Sequence, residues 1–350
     1  MGRLLFAIPG DLAARTGGYG YDRRVLAELP AFGVEAVHLK LPGRFPEAGP
    51  QDVARALTAM QEALRPGDAL LIDGLAYGAL PPSAIRVLAA PIIALCHHPL
   101  CLETGLAPER ADALRQNERA ALALARHVIV TSAHTGEILR RRFGVPPDRL
   151  TVAPPGTDPA PRAGGTGGAP VLLAVGAIMP RKAFDVLVGA LGGLAELDWR
   201  LRIVGSRDLD PLSAAALSAQ IAALDLASRV ELAGKFSGAE LDACYAASDI
   251  FVSASLYEGF GMALAEAMAR GLPIVTTTGG AAAQTVPDAA GLKVPPADVA
   301  ALREALRRVI CEDDLRRRLA EGSWRAGQAL PLWRDSARRI AEVFWATARV

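Results

Sequence analysis

The sequence is poor in lysine, in cysteine and in net charge, and the last two shortages each remove a class of function. Four lysines occur in 350 residues, Lys40, Lys182, Lys235 and Lys293, against a large excess of arginine. A lysine inside a motif therefore stands out. The formal net charge is +1, so nothing in the balance points to a nucleic-acid partner. Basic clusters at Arg140–Arg142 and Arg316–Arg318 read as solvated helix faces, with contact to an anionic membrane surface as the minority reading. Cys96, Cys101, Cys244 and Cys311 form no C-x-x-C pair. They lie in apolar or helical stretches, where a thiol behaves as a small hydrophobe, and reduced thiols of a cytoplasmic protein are expected. No apolar run is long enough to span a membrane. The opening M-G-R-L-L-F-A-I-P-G is too short for the apolar core of a signal peptide.

What is present is a large apolar content, 51% of residues, and a regular rhythm. The length suits two α/β domains of roughly 150–180 residues. Apolar, β-branched runs predict strands at 4–8, 34–39, 69–73, 91–96, 128–132 and 150–153. A second series falls at 171–176, 201–205, 230–233, 250–254, 274–277 and 292–294. Helical patterns at 21–29, 53–64, 110–125 and 132–142 separate strands of the first series, and helices finish the chain from 299 onward. Strands apolar throughout and separated by helices predict parallel sheets covered on both faces. The run P-P-G-T-D-P-A-P-R-A-G-G-T-G-G-A-P, from Pro154 to Pro170, supports neither helix nor central strand and reads as a linker. The expected organisation is one Rossmann-like domain at 1–160, a second at 161–332 facing it across a cleft, and a closing helix at 333–350 that crosses back to the first. In that helix Trp333, Ala337, Ile340 and Phe344 recur at helical spacing, which predicts a core stripe.

In open α/β sheets ligands bind beyond the carboxyl ends of strands, and the motifs fall there. The strongest runs from Asp249 to Val275, D-I-F-V-S-A-S-L-Y-E-G-F-G-M-A-L-A-E-A-M-A-R-G-L-P-I-V. A strand leads into a turn with Glu258, Gly259 and Gly261, and then into a helix holding Glu266. The free N–H groups at the helix start, Phe260, Gly261, Met262 and Ala263, suit an anion. The flanking carboxylates suit sugar hydroxyls. A ligand with a sugar, a diphosphate and a ribose fits this pattern. An isolated pair of acids eight apart would carry no such weight. The second motif, Leu172 to Leu191, puts Gly176 at a strand end and Arg181-Lys182 just before a helix. Cations there oppose the helix dipole, which makes a purely solvated role unusual. They can neutralise a departing diphosphate, the task a metal ion performs elsewhere.

The Asp249–Val275 segment resembles the signature of retaining glycosyltransferases of family 4, which have the GT-B fold. The resemblance is strong from about 171 to 294 and diffuse elsewhere. It implies that Glu266 binds the ribose hydroxyls of a donor nucleotide and that Glu258 contacts the donor sugar near the reacting face. It further implies that Phe260 to Ala263 hold sugar and phosphate, and that Arg181 and Lys182 bind the diphosphate. Ala183 stands where the family often has glycine. Gly17 and Gly18, in G-G-Y-G, resemble the family's glycine-rich loop. His97 and His98 follow the fourth strand, where the family carries a histidine that meets the donor sugar, and His97 is preferred. A zinc site is rejected because no third ligand lies at helical spacing. Glu118 resembles another recurrent position and is read as structural. In G-K-F, Gly234 to Phe236, the backbone would meet the nucleobase, and Gln284 stands where the family usually has Glu.

The function so implied is metal-independent, retaining transfer of a sugar from a UDP- or GDP-type donor to a saccharide or lipid-linked acceptor, with no cofactor. The alternatives are an epimerase or hydrolase of nucleotide sugars, or a catalytically silent nucleotide-binding subunit. A dinucleotide oxidoreductase is disfavoured, since no G-x-G-x-x-G follows the first strand of either half.

Overall fold

The computed structural model describes residues 2–348. The chain forms two compact units, residues 1–156 with 331–350 and residues 157–330. The first unit contains strands β1 Gly2–Pro9, β2 Val34–Leu41, β3 Ala69–Asp73, β4 Ile92–Cys96, β5 His127–Val130 and β6 Leu150–Val152. The second contains β7 Val171–Val175, β8 Arg200–Val204, β9 Val230–Gly234, β10 Ile250–Ser253, β11 Ile274–Thr277 and β12 Gly291–Val294. Every predicted strand is present, with its ends displaced by at most two residues and those at 69–73 and 274–277 unchanged.

Each unit holds one sheet of six parallel strands, but the two orders differ. The first runs β2-β1-β3-β4-β5-β6 and the second β12-β11-β10-β7-β8-β9. The second is the doubly wound order associated with dinucleotide folds, while the first is the flavodoxin-like order with a strand added. Periodicity reports strand and helix but not which strands pair. The order still decides where the chemistry goes. In the second unit the direction of winding reverses between β7 and β10, which pair through Ile250 with Leu172 and Phe251 with Leu173. The motif residues following both strands meet at that reversal. In the first unit the reversal lies between β1 and β3, paired from Leu4 with Ala69 to Ala7 with Ile72.

Both sheets are buried on two faces. Leu4 to Ile8, Ala69 to Ile72, Leu172 to Ala174 and Ile250 to Val252 are at most 1% exposed. Fully burying the Leu, Ile, Val and Phe side chains among them contributes about 1.5–3 kcal/mol each. The closing helix Trp333–Ala348 belongs to the first unit. Trp333, Ala337, Ile340 and Phe344 are all buried, as their spacing requires. Trp333 meets Tyr21 edge-on at 5.9 Å, and Arg24 lies over the indole at 5.2 Å. The run 132–142 begins as an α-helix at Ala133–Ile138 and widens to a π-turn at Leu139–Phe143.

The Pro/Gly-rich run after β6 has no regular structure, yet it is laced onto the second unit. Asp249 accepts from the Thr166 and Val171 N–H groups at 3.0 and 2.9 Å, and from the Thr166 hydroxyl at 2.7 Å. Ala163 N–H donates to the Arg270 carbonyl at 2.9 Å. No helix among the described residues is long and apolar enough to cross a membrane.

Candidate donor-side functional site

The second unit gathers its charged motif residues at one point. The turn Pro180–Lys182, after β7, carries Arg181 and Lys182, and the loop after β10 carries Glu258. Lys182 Nζ donates to Glu258 Oε1 at 2.6 Å, and the Ser255 hydroxyl donates to the same oxygen at 2.6 Å. Arg181 Nη1 stands 3.8 Å from Glu258 Oε2 and donates to the Tyr257 carbonyl at 2.9 Å. Glu258 is 7% exposed. Burial pushes its carboxyl up, but Lys182 and then Arg181 outweigh burial and hold it below the ordinary value. Two cations and one carboxylate therefore form a nearly buried cluster with an excess positive charge.

Backbone constraints hold this cluster. Ala183 has a left-handed backbone, φ 48°, where it caps the helix Phe184–Gly192. That conformation costs an L-residue about 1–2 kcal/mol and favours glycine, which accounts physically for glycine being common there in the family. Glu258 is clamped from both sides of its peptide: its N–H donates to the Gly279 carbonyl at 3.2 Å, and its carbonyl accepts from Ala281 N–H at 2.7 Å. Gly280, φ +65°, lies so close that a Cβ there would stand 2.3 Å from the Glu258 carbonyl oxygen. Ser255 and Gly280 escaped the sequence reading. Ser255 carries no signal, but the double glycine 279–280 after β11 is one.

The helix Met262–Ala269 starts beside Glu258, capped by Gly261 at φ +93°. Its first N–H groups have no carbonyl one turn earlier to bond. The Thr285 hydroxyl fixes the entry by donating to the Phe260 carbonyl at 2.6 Å. Glu266, one turn in, accepts from the Tyr245 hydroxyl at 2.8 Å. Arg270 lies over the Tyr245 ring at 4.5 Å and donates to the Glu266 carbonyl at 3.0 Å. Burial raises the Glu266 carboxyl, while Tyr245 and Arg270 draw it back. Gly176 directly follows β7, under the aliphatic stem of Lys182. Phe236 packs on the apolar cluster that contains Tyr245 and Met268. Gly176, Arg181, Lys182, Glu258 and the helix start thus share one end of the sheet.

The first unit carries Gly17 and Gly18 as the opening residues of the helix Gly17–Glu28, capped by the Thr16 side chain. His97 and His98 follow β4 and take different partners. His98 Nε2 is 3.8 Å from Glu103, whereas His97 turns inward onto Asp22 and Asp73. No third ligand lies at helical spacing from the histidines, yet the fold supplies two carboxylates from distant segments. The three ligand-type atoms lie within 4.8 Å of one another. Their separations of 3.1 and 3.3 Å are hydrogen-bond distances, and an imidazolium satisfies them without an ion. A cavity of about 620 Å³ in this unit opens at the amino ends of β4 and β5, away from the motif residues.

Glu118 is buried, and its Oε2 accepts from Leu100 N–H at 3.0 Å, holding the loop after β4. Burial pushes its carboxyl up to about 8. The folded state therefore keeps a proton that the unfolded state releases near its ordinary value of 4.5. This stabilising contribution is complete below about pH 4.5 and is lost as pH rises through 8. We predict that melting temperature declines more from pH 5 to pH 8.5 in the wild type than in Glu118→Gln, by the equivalent of a few kcal/mol. Parallel melting curves across that range would show that Glu118 carries no buried proton.

With this geometry in place, comparison with known proteins is consistent along the chain. Residues 169–312 match the family model described as glycosyl transferases group 1, and residues 12–161 match that described as Glycosyltransferase Family 4. The D-inositol 3-phosphate glycosyltransferase of Kineococcus radiotolerans is 34% identical over 275 residues, 69% of this chain and 62% of the relative. The chain thus spans less than two thirds of that relative's length. The sucrose-phosphate synthase of Thermosynechococcus elongatus matches with a TM-score of 0.82 at 22% identity, covering 98% of each chain. Anabaena HepE, solved with UDP and glucose, matches at 0.74 and 18% identity over 99% of this chain and 100% of its own. The structural likenesses give the fold, two parallel-sheet units of the GT-B type, and the family matches give the lineage: the chain belongs to the family 4 glycosyltransferases.

Proposed function

We propose that the protein transfers a sugar, with retention, from a nucleoside diphosphate sugar of the UDP or GDP type to a hydroxyl of a saccharide or lipid-linked acceptor, without a metal ion. The observation that carries the reading is the contact of Lys182 with Glu258 at 2.6 Å, with Arg181 alongside and a helix start adjacent. A donor diphosphate takes the cations and the helix N–H groups, and Glu258 is released to the sugar hydroxyls. Glu266 takes the ribose, and the backbone near Phe236 meets the base. The unit of residues 157–330 is the donor unit in this reading, and residues 1–156 take the acceptor and offer His97.

The C1–O bond breaks with its electron pair leaving on the diphosphate, where Arg181, Lys182 and the helix start stabilise the developing charge. The acceptor oxygen attacks C1 from the face of departure, and its proton passes to the leaving phosphate oxygen. A cytoplasmic location, where such donors are made, belongs to the same reading, as does peripheral contact with a membrane carrying a lipid-linked acceptor.

The test is a thermal-shift series with UDP-, GDP- and ADP-sugars in excess EDTA. One donor, at a hundred times its dissociation constant, should stabilise the protein by about 2.7 kcal/mol. No stabilisation by any donor, or stabilisation abolished by EDTA, contradicts the reading. Consumption of donor without acceptor at the full rate would select the epimerase or hydrolase alternative. Donor binding without turnover, across acceptors, would select the silent subunit.

A further inference from the structure

Three segments far apart in the first unit converge on one imidazole. His97 follows β4, Asp73 ends β3, and Asp22 lies in the second turn of the helix Gly17–Glu28. His97 Nε2 is 3.1 Å from Asp22 Oδ1 and 3.3 Å from Asp73 Oδ2. The Asp22 and Asp73 side chains are 0% and 2% exposed, whereas 21% of the His97 side chain remains open. Asp73 is itself fixed, because its Oδ1 accepts from Leu75 N–H at 2.9 Å. The Tyr21 ring stands edge-on to the imidazole at 5.2 Å, anchored by its hydroxyl to the Ala153 carbonyl at 2.9 Å. Gly18 runs beside the ring, where a Cβ would sit 3.6 Å from His97 Cδ2. With Nε2 turned inward, Nδ1 is the nitrogen left for a ligand.

Orienting an imidazole needs only one neutral acceptor. Two buried carboxylates on one nitrogen carry a desolvation cost that their attraction to the ring only partly offsets. The second Asp22 oxygen is buried with no partner, a further cost. This arrangement makes sense if what it secures is charge as well as orientation. We propose that Asp22 and Asp73 are positioning residues that keep His97 doubly protonated and aim its Nδ1–H at the donor sugar, so that the ring serves as a fixed cation. This rests on the reading above that His97 meets the donor.

The surroundings agree. Burial alone would strip the proton from His97, but the two carboxylates outweigh it and hold the proton affinity high. From the helix of Asp22 come Arg23, which donates to the Ala14 carbonyl at 3.0 Å, and Tyr19, whose phenol is pushed up to about 12 by burial and by Asp73, Asp22 and Asp11. From β4 itself comes Cys96, whose thiol burial keeps neutral. From the loop after β5 the Thr131 hydroxyl reaches the His97 carbonyl at 3.4 Å. Asp22 is the neighbour that titrates nearest neutrality, because burial pushes its carboxyl up to about 6 against the pull of His97, and its signal is followed alongside that of the ring.

The experiment pairs an NMR titration of His97 with pH profiles of transfer. In the wild type the ring should stay charged from pH 5.5 to 8.5, and activity should show no limb from it. In Asp22→Asn the ring should titrate near its ordinary value of about 6.5, with transfer kept at pH 6 and falling about 30-fold by pH 8. Asp73→Asn, which can still cap at Leu75, should do the same and serves if Asp22→Asn does not fold. A neutral His97 at pH 7.5 in the wild type overturns the proposal, as does a loss of the same factor at every pH in both variants. So does stoichiometric binding of zinc or manganese to the wild type that Asp22→Asn abolishes, since the cluster would then be a metal site. Full transfer by His97→Ala would remove the donor contact on which the proposal rests. That failure is separable, because the titration reports on the ring whether or not it meets the donor.

Discussion

Lys182→Met should melt well below the wild type, and adding Glu258→Gln to it should restore most of the loss without restoring any transfer. The Lys182 and Glu258 side chains are only 16% and 10% exposed, so their attraction is little screened. Removing one partner of such a pair leaves the other charge buried, at a cost of about 3 kcal/mol. Arg181 at 3.8 Å and the Ser255 hydroxyl compensate in part. Neutralising both partners removes the stranded charge, and an amide at 258 can still accept from Ser255. Catalysis does not recover, because the cation for the diphosphate is gone. Loss of one electrostatic contact of this kind costs on the order of 100-fold to 1,000-fold in rate.

The pH dependence gives an independent check. In the wild type the Glu258 carboxyl is held low, so its stability contribution is present above its ordinary value of 4.5 and is lost as pH falls through the lower folded value. In Lys182→Met burial prevails and the sign reverses, so that acidification should stabilise the variant relative to the wild type. Differential scanning calorimetry at pH 4 to 8 on the wild type and both variants decides this. A double variant that melts as low as the single one would show that Lys182 acts through packing of its stem on Gly176 and not through its charge.

How much of this site could be read from the chain depends on how local its signals are. The strands were legible because a two-sided sheet demands unbroken apolar runs, as in Leu4–Ile8 and Ile92–Cys96. Glu258, Gly261 and Glu266 were legible because strand, turn and helix follow one another within eighteen residues or so, at about 1.5 Å per helical residue. Lys182 was legible as a cation at a helix start. That it bonds Glu258, 76 residues away, was not, since the pairing of β7 with β10 is a fact of topology. Asp22 and Asp73 lie 75 and 24 positions before His97, at no helical or strand interval from it. Asp249 likewise looks like an ordinary strand-entry acid, yet it ties the preceding Pro/Gly run to β7. Sequence reading therefore found the ligand-facing ends of the elements and missed the partners that arrive from other elements.

Tyr245 is such a missed partner, and it carries the second large expected effect. Its hydroxyl donates to Glu266 Oε2 at 2.8 Å from a ring that is fully buried and stacked on Phe251 at 5.9 Å. Glu266→Ala should raise the KM for the donor about 10-fold to 150-fold, the weight of one or two hydrogen bonds to a charged acceptor, with a smaller change in kcat. Tyr245→Phe keeps the ring and the Arg270 contact but frees the carboxylate to turn. It should raise the same KM by about 10-fold. The discriminating readout is a donor lacking the ribose 2′-hydroxyl. Wild-type protein should prefer the ribose donor strongly, because an unpaired buried carboxylate is costly. In Glu266→Ala the preference should disappear, and in Tyr245→Phe it should shrink. If all three proteins discriminate equally between ribose and 2′-deoxyribose donors, Glu266 does not hold the ribose, and Tyr245 is a core residue whose hydroxyl merely satisfies a neighbour.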